Sequence, residues 1–175
     1  PHPFKGNINL EKLEEVYKKY PKEKIPFCLI TITCNSSGGQ PVSLENMKAV
    51  QELSDRYGIP IYFDSARFAE NAYFIKMREK GQENRTIKEI AKEAFSYGVG
   101  MTMSSKKDGL VNIGGFIALN DETIFRAASN FTIIYEGFIT YGGMAGRDMN
   151  ALAVGLNEAT EFEYLESRIS QVEYL

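Results

Sequence analysis

Apolar residues recur along this chain at two different spacings, which divide it into predicted helices and strands. They fall every three or four positions over residues 9–20 and again over 43–57, as in amphipathic helices. The run FCLITITC at 27–34 is instead apolar at almost every position, which is typical of a strand covered on both faces. A second run, IPIYFD at 59–64, follows the second helix directly. This strand–helix–strand order predicts two parallel neighbours in an α/β sheet.

The rest of the chain continues this alternation. Helical spacing extends over 66–81, and Thr86 with Glu89 three positions later forms the capping-box pattern that begins another helix. Further predicted elements are, in order, strands at 101–104 and 111–119, a helix at 121–130, and a strand or loop at 131–137. A glycine-rich predicted loop follows them. From 147 to 175 the apolar residues keep a helical spacing, which predicts one long helix.

Composition and charge narrow the possible functions. The 175 residues are 43% hydrophobic and 25% charged, as expected of one soluble globular domain. The 20 basic and 23 acidic residues give a net charge of −3 without a long basic run, so nucleic acid is not an expected partner. No apolar stretch approaches the roughly 20 residues that cross a bilayer, so no membrane is expected either. Because His2 is the only histidine, Ser–His–Asp hydrolysis and histidine-bound zinc are excluded.

The two cysteines bear on the cellular compartment. Cys28 and Cys34 belong to one predicted strand, whose length separates them by about 20 Å. A disulfide needs Cα atoms within about 7 Å of each other, so both thiols are expected to be free. Free thiols fit a reducing compartment, and we expect the protein to be cytoplasmic.

Polar residues follow three of the predicted strands, at the edge where open α/β sheets bind their ligands. Asn35 follows the first strand, Asp64 ends the second, and Arg67 lies about one helical turn later. Lys106 and Lys107 come shortly after the third strand. We therefore expect an amide, a carboxylate, a guanidinium group and a lysine pair to meet in one crevice.

This combination is chemically suited to pyridoxal phosphate (PLP). A lysine that bonds to an aldehyde must first lose a proton, and the neighbouring cation Lys106 favours that loss from Lys107. A pyridine nitrogen that must stay protonated needs a carboxylate beside it, which Asp64 can supply. Ser104 and Ser105, just before the lysines, can donate hydrogen bonds to a phosphate group.

The same residues also have ordinary structural roles. Asp64 could be a magnesium ligand or a helix cap, and Arg67 could form a surface ion pair. The lysine pair could belong to a solvated turn. Nucleotide-binding classes match less well, because the chain has no GKS or GKT loop and no GxGxxG directly after a strand.

Four longer strings are more specific than any single motif: TCNSSGGQPVSLENMKAV, FDSARFAENAYFIK, MSSKKDGLVNIGGF and YEGFITYGGMAGRDMNALAVGL. In this order and with these gaps they resemble the β-eliminating lyases, the PLP family that includes tyrosine phenol-lyase and tryptophanase. The likeness extends from about Phe4 to Leu175. It implies an α/β fold of the fold-type I (aspartate aminotransferase-like) class, a three-layer sandwich around a mostly parallel mixed sheet. It also implies that residues 1–175 are part of the PLP-binding large domain, with the predicted helix at 147–175 leading toward an absent small domain.

The resemblance implies a role for each strand-end residue. Lys107 corresponds to the lysine that holds the cofactor, Lys106 lies beside it as a second catalytic residue, and Asp64 is the partner of the pyridine nitrogen. The other residues implied to bind the cofactor are Asn35 and Arg67, at its phenolic oxygen, and Ser104, at its phosphate.

The resemblance further implies a carbon–carbon lyase that splits an aromatic amino acid into a free aromatic compound, pyruvate and ammonia. The strings VNIGG and GGMAGRDM are closer to the phenol-lyases and favour L-tyrosine, with phenol as the product. The strings ITCNSSGG and FDSARFAENAYFIK are closer to tryptophanase, which leaves L-tryptophan, with indole as the product, as the alternative. Family members are homo-oligomers, tetramers at full length, and are activated by potassium; Asn112 falls where a backbone carbonyl binds that ion. A third alternative is that the chain alone is a non-catalytic folded module, because part of the family's cofactor shell lies outside it.

Overall fold

A four-stranded mixed sheet forms the centre of the computed structural model, which describes residues 2–175. Over these residues the sheet is accompanied by seven α-helices. The strands are β1 (Cys28–Thr31), β2 (Ile61–Asp64), β3 (Gly100–Ser104) and β4 (Gly115–Leu119). The helices are α1 (Leu10–Lys19), α2 (Leu44–Tyr57), α3 (Phe68–Arg78), α4 (Ile87–Ser96), α5 (Glu122–Tyr135), α6 (Gly146–Glu158) and α7 (Phe162–Tyr174).

The strands lie side by side in the order in which they occur along the chain. β1, β2 and β3 are parallel, and β4 pairs with β3 in the antiparallel direction. In this register Thr31 pairs with Asp64, and Asp64 pairs with Thr102. The prediction of an α/β fold with a mostly parallel mixed sheet is therefore confirmed, and the carboxyl ends of the three parallel strands lie at one edge.

Capping residues lie at four of the helix ends. The side chain of Asn9 accepts a hydrogen bond at the start of α1, and that of Ser43 does so at the start of α2. Gly58 adopts the left-handed conformation that ends α2, with φ of 64°. Thr86 and Glu89 form the complete capping box of α4. These four helix boundaries were predicted correctly because the interactions that set them are local.

One face of the sheet forms the main core. Ile30, Phe63 and Met103 project from it and are almost completely buried. Helices α2, α3 and α4 cover this face, and Leu165 of α7 joins the same cluster. Burial of these apolar side chains, at about 25 cal/mol per Å², is the main contribution that holds the helices on the sheet.

The opposite face of the sheet is largely open. Leu29 on β1 is 51% exposed, and Ile117 on β4 is 54% exposed. The prediction that residues 27–34 form a strand covered on both faces is therefore wrong: β1 spans only Cys28–Thr31 and alternates between buried and open positions. The strand stops early because Thr33 takes a positive φ of 50°, which is incompatible with extended backbone.

Two predictions in the second half of the chain are corrected. Residues 131–135, expected as a strand or loop, extend α5 to Tyr135; β-branched residues form a strand only where a neighbouring strand is available for pairing. Residues 147–175 form not one long helix but α6 and α7. At the break the Thr160 hydroxyl donates to the Asn157 carbonyl over 2.8 Å. The break lets the ring of Phe162 stack on Tyr73 of α3, with centroids 5.6 Å apart.

Candidate active site

The strand ends bring two of the expected site residues together. Asp64 is the last residue of β2 and pairs with Thr102, and Ser104 ends β3 two residues further on. At the usual strand spacing and rise, the Cα atoms of Asp64 and Ser104 are about 8 Å apart. Because successive side chains alternate between the faces, both project from the open face, opposite Phe63 and Met103. A carboxylate and a hydroxyl group thus share one face and one edge of the sheet.

A tight turn at residues 105–109, the lysine turn, follows β3. The Lys107 Nζ donates to the Ser104 Oγ over 3.1 Å, so the structure places the lysine amine at the end of the strand. The Ser105 amide donates to the Gly114 carbonyl over 3.0 Å, which closes the base of the turn against β4. Lys107 is half-buried and Lys106 is exposed. Of the lysine pair, only Lys107 lies at the strand-end hydroxyl.

Glycines hold the lysine turn close to helix α6. A Cβ atom at Gly155 would overlap the carbonyl oxygen of Gly109, and one at Gly109 would overlap that of Ser105. Leu110, directly after the turn, has a positive φ of 55°, a conformation that costs a non-glycine residue free energy. Strain and close packing of this kind persist where the surroundings hold the backbone in place.

Arg67 lies at the start of α3 and faces an acidic partner. It is the N-cap residue of α3 but makes no capping hydrogen bond with its side chain. Its Nε is 4.0 Å from a carboxylate oxygen of Glu70, whose other oxygen accepts from Arg168 Nε of α7 over 2.9 Å. Glu70 therefore lies between two guanidinium groups, and the ion pairs connect α3 with α7.

The loop after β1 is tied to the Arg67 backbone. Thr33 is buried, and its hydroxyl donates to the Arg67 carbonyl over 3.0 Å and to the Ile32 carbonyl over 2.8 Å. Asn35, two residues later, begins a 3-10 turn and has an exposed side chain. The structure thus brings the Asn35 loop to the start of α3. Thr33 was not predicted as a site residue, because nothing in the sequence distinguishes it from a strand threonine.

Asp108 is a second residue that sequence reasoning missed. Its side chain is almost fully buried, and its Oδ2 accepts from the Ala69 amide over 2.7 Å and from the Glu70 amide over 3.3 Å. Its own amide donates to the Ala66 carbonyl over 3.2 Å. Burial and, secondly, the charge of Glu70 raise the pKa of the Asp108 carboxyl to about 7. Asp108 could not be found from the sequence, because nothing near it in the lysine turn indicates that it caps a helix about 40 residues away.

The donor set at this edge suits PLP better than a metal ion. Ser104 and Lys107 supply a hydroxyl and an amine, and Asp64 and Arg67 supply a carboxylate and a guanidinium group. Ser105, expected as a second phosphate donor, is fully buried, and its Oγ has no hydrogen-bond partner within residues 2–175. In the same described range, His, Cys, Asp and Glu side chains form no cluster of three or more that could hold a metal.

Three further predictions concern a cation ligand, the two cysteines and membrane-spanning helices. Asn112 lies in an exposed bend, and its role in cation binding stays a prediction. Cys28 and Cys34 are both free, as expected. Across residues 2–175, no helix combines the length and the apolar character that crossing a bilayer would require.

A large cavity lies beside the strand-end residues rather than among them. It measures about 1160 Å³ and is formed by β4, α5 and the loop that joins α5 to α6; we call it the β4–α5 groove. Ile117 of β4 and Phe125 of α5 are among the residues that line it. Thr102, on the same sheet face as Asp64, forms part of its wall, but Asp64 and Lys107 do not. The groove thus continues from the open sheet face.

These features describe an α/β protein with an amine, a carboxylate and a guanidinium group near the ends of its parallel strands. The family model for β-eliminating lyases matches residues 1–175, so the chain belongs to the β-eliminating lyase family. The family resemblance read from the sequence is thereby confirmed.

Individual relatives agree with this assignment. A protein of Trichomonas vaginalis, provisionally named a β-eliminating lyase, is 63% identical over 99% of this chain and 38% of its own length. A tyrosine phenol-lyase of Fusobacterium nucleatum is 53% identical over 99% of this chain and 38% of its own length. A tryptophanase of Salinibacter ruber is 53% identical over 99% of this chain and 37% of its own length. The chain therefore spans less than two fifths of the length of these relatives.

A solved structure supports the fold. A protein from Exiguobacterium, provisionally named an aromatic amino acid β-eliminating lyase/threonine aldolase, superposes with a TM-score of 0.58 at 19% identity. The match covers 83% of this chain and 36% of that protein. The fold is thus the α/β fold of fold-type I enzymes, as expected.

Proposed function

We propose that the protein containing this chain is a PLP-dependent lyase that removes the side chain of an aromatic amino acid by β-elimination. L-tyrosine is the proposed substrate, and phenol, pyruvate and ammonia are the products. The observation that carries the proposal is the Lys107–Ser104 contact, on the same edge and face of the sheet as Asp64. Membership of the β-eliminating lyase family supports the reaction class.

The strand-end residues fit PLP group by group. Lys107 would hold its aldehyde carbon, Asp64 its ring nitrogen and Ser104 its phosphate, while Asn35 and Arg67 would bind its phenolic oxygen. When bound, PLP supplies an electron-poor ring that stabilises the electron pair left on the substrate Cα after a proton is removed. All five side chains come from segments at the strand ends, where ligands bind in this type of sheet.

Lys107 is the proposed base for the substrate Cα proton. Its amine lies at the end of β3, where the Ser104 hydroxyl accepts its N–H over 3.1 Å and limits the positions of the nitrogen. A base held in place in this way can transfer protons without first paying the entropy of ordering its side chain. Lys106, the other lysine of the turn, is exposed and would contribute positive charge beside the reacting amine.

Asp64 is the proposed partner of the ring nitrogen. Its backbone is fixed by pairing with Thr31 and Thr102 on both sides, and its carbonyl accepts from the Ile32 amide over 3.0 Å. A carboxylate on such a rigid element can hold a proton at one atom of the bound ring. The half-buried position of Asp64 limits the access of water to that proton.

Cation activation and assembly belong to the same proposal. The Asn112 carbonyl is the proposed protein ligand of a potassium ion, since hard cations prefer oxygen ligands. Replacing potassium by a bulky tetraalkylammonium ion should lower turnover severalfold, and equal rates in both salts would contradict the cation site.

The protein is also proposed to assemble as a homo-oligomer.

L-tryptophan is the second candidate substrate, with indole as the product. Relatives named tyrosine phenol-lyase and tryptophanase are equally similar to this chain, at 53% identity each. The preference for tyrosine therefore rests on the strings at 111–115 and 142–149, which adjoin the lysine turn and the β4–α5 groove.

The test is elimination by the protein as encoded by its gene, assayed with tyrosine and tryptophan side by side. Lys107→Ala should remove the visible absorbance of lysine-bound PLP and lower pyruvate release by about 10²- to 10⁴-fold. Lys92→Ala, on the exposed side of α4, is the matched control and should change neither. Unchanged absorbance and turnover in Lys107→Ala would refute the proposal.

A non-catalytic role of the chain alone remains a second candidate. It is favoured by α5, a 14-residue helix in which no side chain is buried. The 175-residue chain would then bind PLP weakly. Titration of this chain with PLP separates a catalytic from a non-catalytic chain. A visible absorbance of lysine-bound PLP that saturates as PLP is added, and that Lys107→Ala removes, would show that the chain holds the cofactor by itself.

A further inference from the structure

We propose that Asp108 is a positioning residue that fixes Lys107 relative to Asp64 and Arg67. It does so by joining the lysine turn to the start of α3. The inference rests on the proposed function of Lys107, and its experiment includes measurements that do not depend on that function.

The side chain of Asp108 completes the start of α3. The N-cap residue Arg67 makes no side-chain cap, so the first amides of the helix need another acceptor. Asp108 Oδ2 accepts from Ala69 and Glu70, the second and third residues of α3. A residue about 40 positions away thus supplies the cap that a local side chain provides in α1, α2 and α4.

The backbone of Asp108 adds a second tie. Its amide donates to the Ala66 carbonyl over 3.2 Å, in the short segment that separates Asp64 from Arg67. In the same segment, the Ser65 hydroxyl and amide both donate to the Thr102 carbonyl of β3, over 2.9 and 3.0 Å. The segment is therefore anchored to the lysine turn on one side and to β3 on the other.

The lysine turn has little freedom to shift. Behind Asp108, Gly109 lies in close contact with Gly155 of α6, where a Cβ atom on Gly155 would overlap the Gly109 carbonyl oxygen. Asp108 itself is only 5% exposed, so water cannot readily replace the two amides that it accepts from. Moving Lys107 would require breaking these contacts together.

The charged and titratable groups around Asp108 come from two other elements. Glu70 of α3 opposes its negative charge, Arg168 of α7 favours it, and Tyr164 of α7 lies close enough to be affected by it. Asp108 thus joins the lysine turn to α3, within electrostatic range of α7. That junction distinguishes it from a helix cap remote from the strand ends.

The chain contains a matched control for a purely structural cap. The Glu79 carboxylate accepts from the Leu44 and Glu45 amides over 2.8 and 2.9 Å and so caps α2 from a distant position. Loss of either cap leaves two amides in the first turn of a helix without their side-chain acceptor. Only Asp108 connects its helix to the lysine turn.

The experiment compares Asp108→Ala, Asp108→Asn and Glu79→Ala in the protein as encoded by its gene. Hydrogen exchange is measured without PLP, and the PLP dissociation constant is then measured by absorbance. In Asp108→Ala, exchange should rise about tenfold or more in both 65–70 and 105–110, and the dissociation constant should rise roughly ten- to hundredfold. Asp108→Asn keeps a carbonyl acceptor and should show a smaller change in both. Glu79→Ala should raise exchange at 44–46 and leave the dissociation constant within about twofold.

Two results would overturn the proposal. Faster exchange confined to 69–70 in Asp108→Ala would show an ordinary helix cap, and an unchanged PLP dissociation constant would show that Lys107 stays in position without it. If Asp108→Ala does not fold, the same two measurements on Asp108→Asn decide the question. Failure of the wild-type protein to bind PLP at Lys107 would refute the proposed function instead. In that case the hydrogen exchange of 65–70 and 105–110 would still test whether Asp108 joins the lysine turn to the start of α3.

Discussion

Two regions of this chain, the core of the sheet and helix α5, use similar apolar patterns with opposite results. In the first, Phe63 and its neighbours on β1–β3 are enclosed by three helices, and Phe63 is 1% exposed. In the second, Phe131 and Tyr135 on α5 are 60% and 76% exposed, and no residue of α5 is buried. The difference teaches that an apolar stripe predicts a helix but becomes core only where another surface faces it. The lysine turn lies between the covered and the exposed region, because it joins β3 to β4 and Ser104 pairs with Gly115 of β4.

The largest expected effect is a stability contrast between these two regions. Phe63→Ala should lower the free energy of unfolding by about 3–5 kcal/mol, because it leaves a cavity among packed rings and helices. Phe131→Ala should change it by less than about 0.5 kcal/mol, because that ring loses little contact. Urea unfolding of both variants measures the contrast. Equal losses would show that α5 is covered in the folded protein.

The contact between α6 and the lysine turn gives the next effect. Gly155→Ala should cost about 1–3 kcal/mol, because the added methyl group meets the Gly109 carbonyl. Gly146→Ala, in the same helix with open space around its Cα, is the matched control and should be neutral or slightly stabilising. Thermal unfolding of the two variants tests this. If Gly155→Ala leaves the free energy of unfolding unchanged, α6 can move away from the lysine turn without loss of stability.

What could be predicted from the sequence follows the range of the interactions. Helix starts at Asn9, Ser43 and Thr86 depend on side chains within three residues, so their patterns were sufficient. The location of Lys107 and Asp64 could also be predicted, because the carboxyl ends of parallel strands lie at one edge of the sheet.

The features that were missed depend on distant contacts. Asp108 caps α3 from 39 residues beyond the Ala69 amide that it accepts from, and no local pattern records such a partner. The division of 147–175 into α6 and α7 likewise reflects the packing of Phe162 on Tyr73 rather than a helix-breaking residue. Long-range packing of this kind overrides local propensity.

Over a single pH unit, the smallest expected effect is the pH dependence of stability at Asp108. The folded state raises the pKa of this carboxyl from 3.8 to about 7, chiefly through burial, so between about pH 4 and 7 the folded protein holds a proton that the unfolded chain has released. The free energy of unfolding should therefore fall as the pH rises through this window, by at most about 1.4 kcal/mol per pH unit, and become level above it. The difference between wild type and Asp108→Asn isolates this contribution, because the other titrating groups are common to both. A difference that grew in the opposite direction would show that the Ala69 and Glu70 amides outweigh burial and hold the pKa below its usual value.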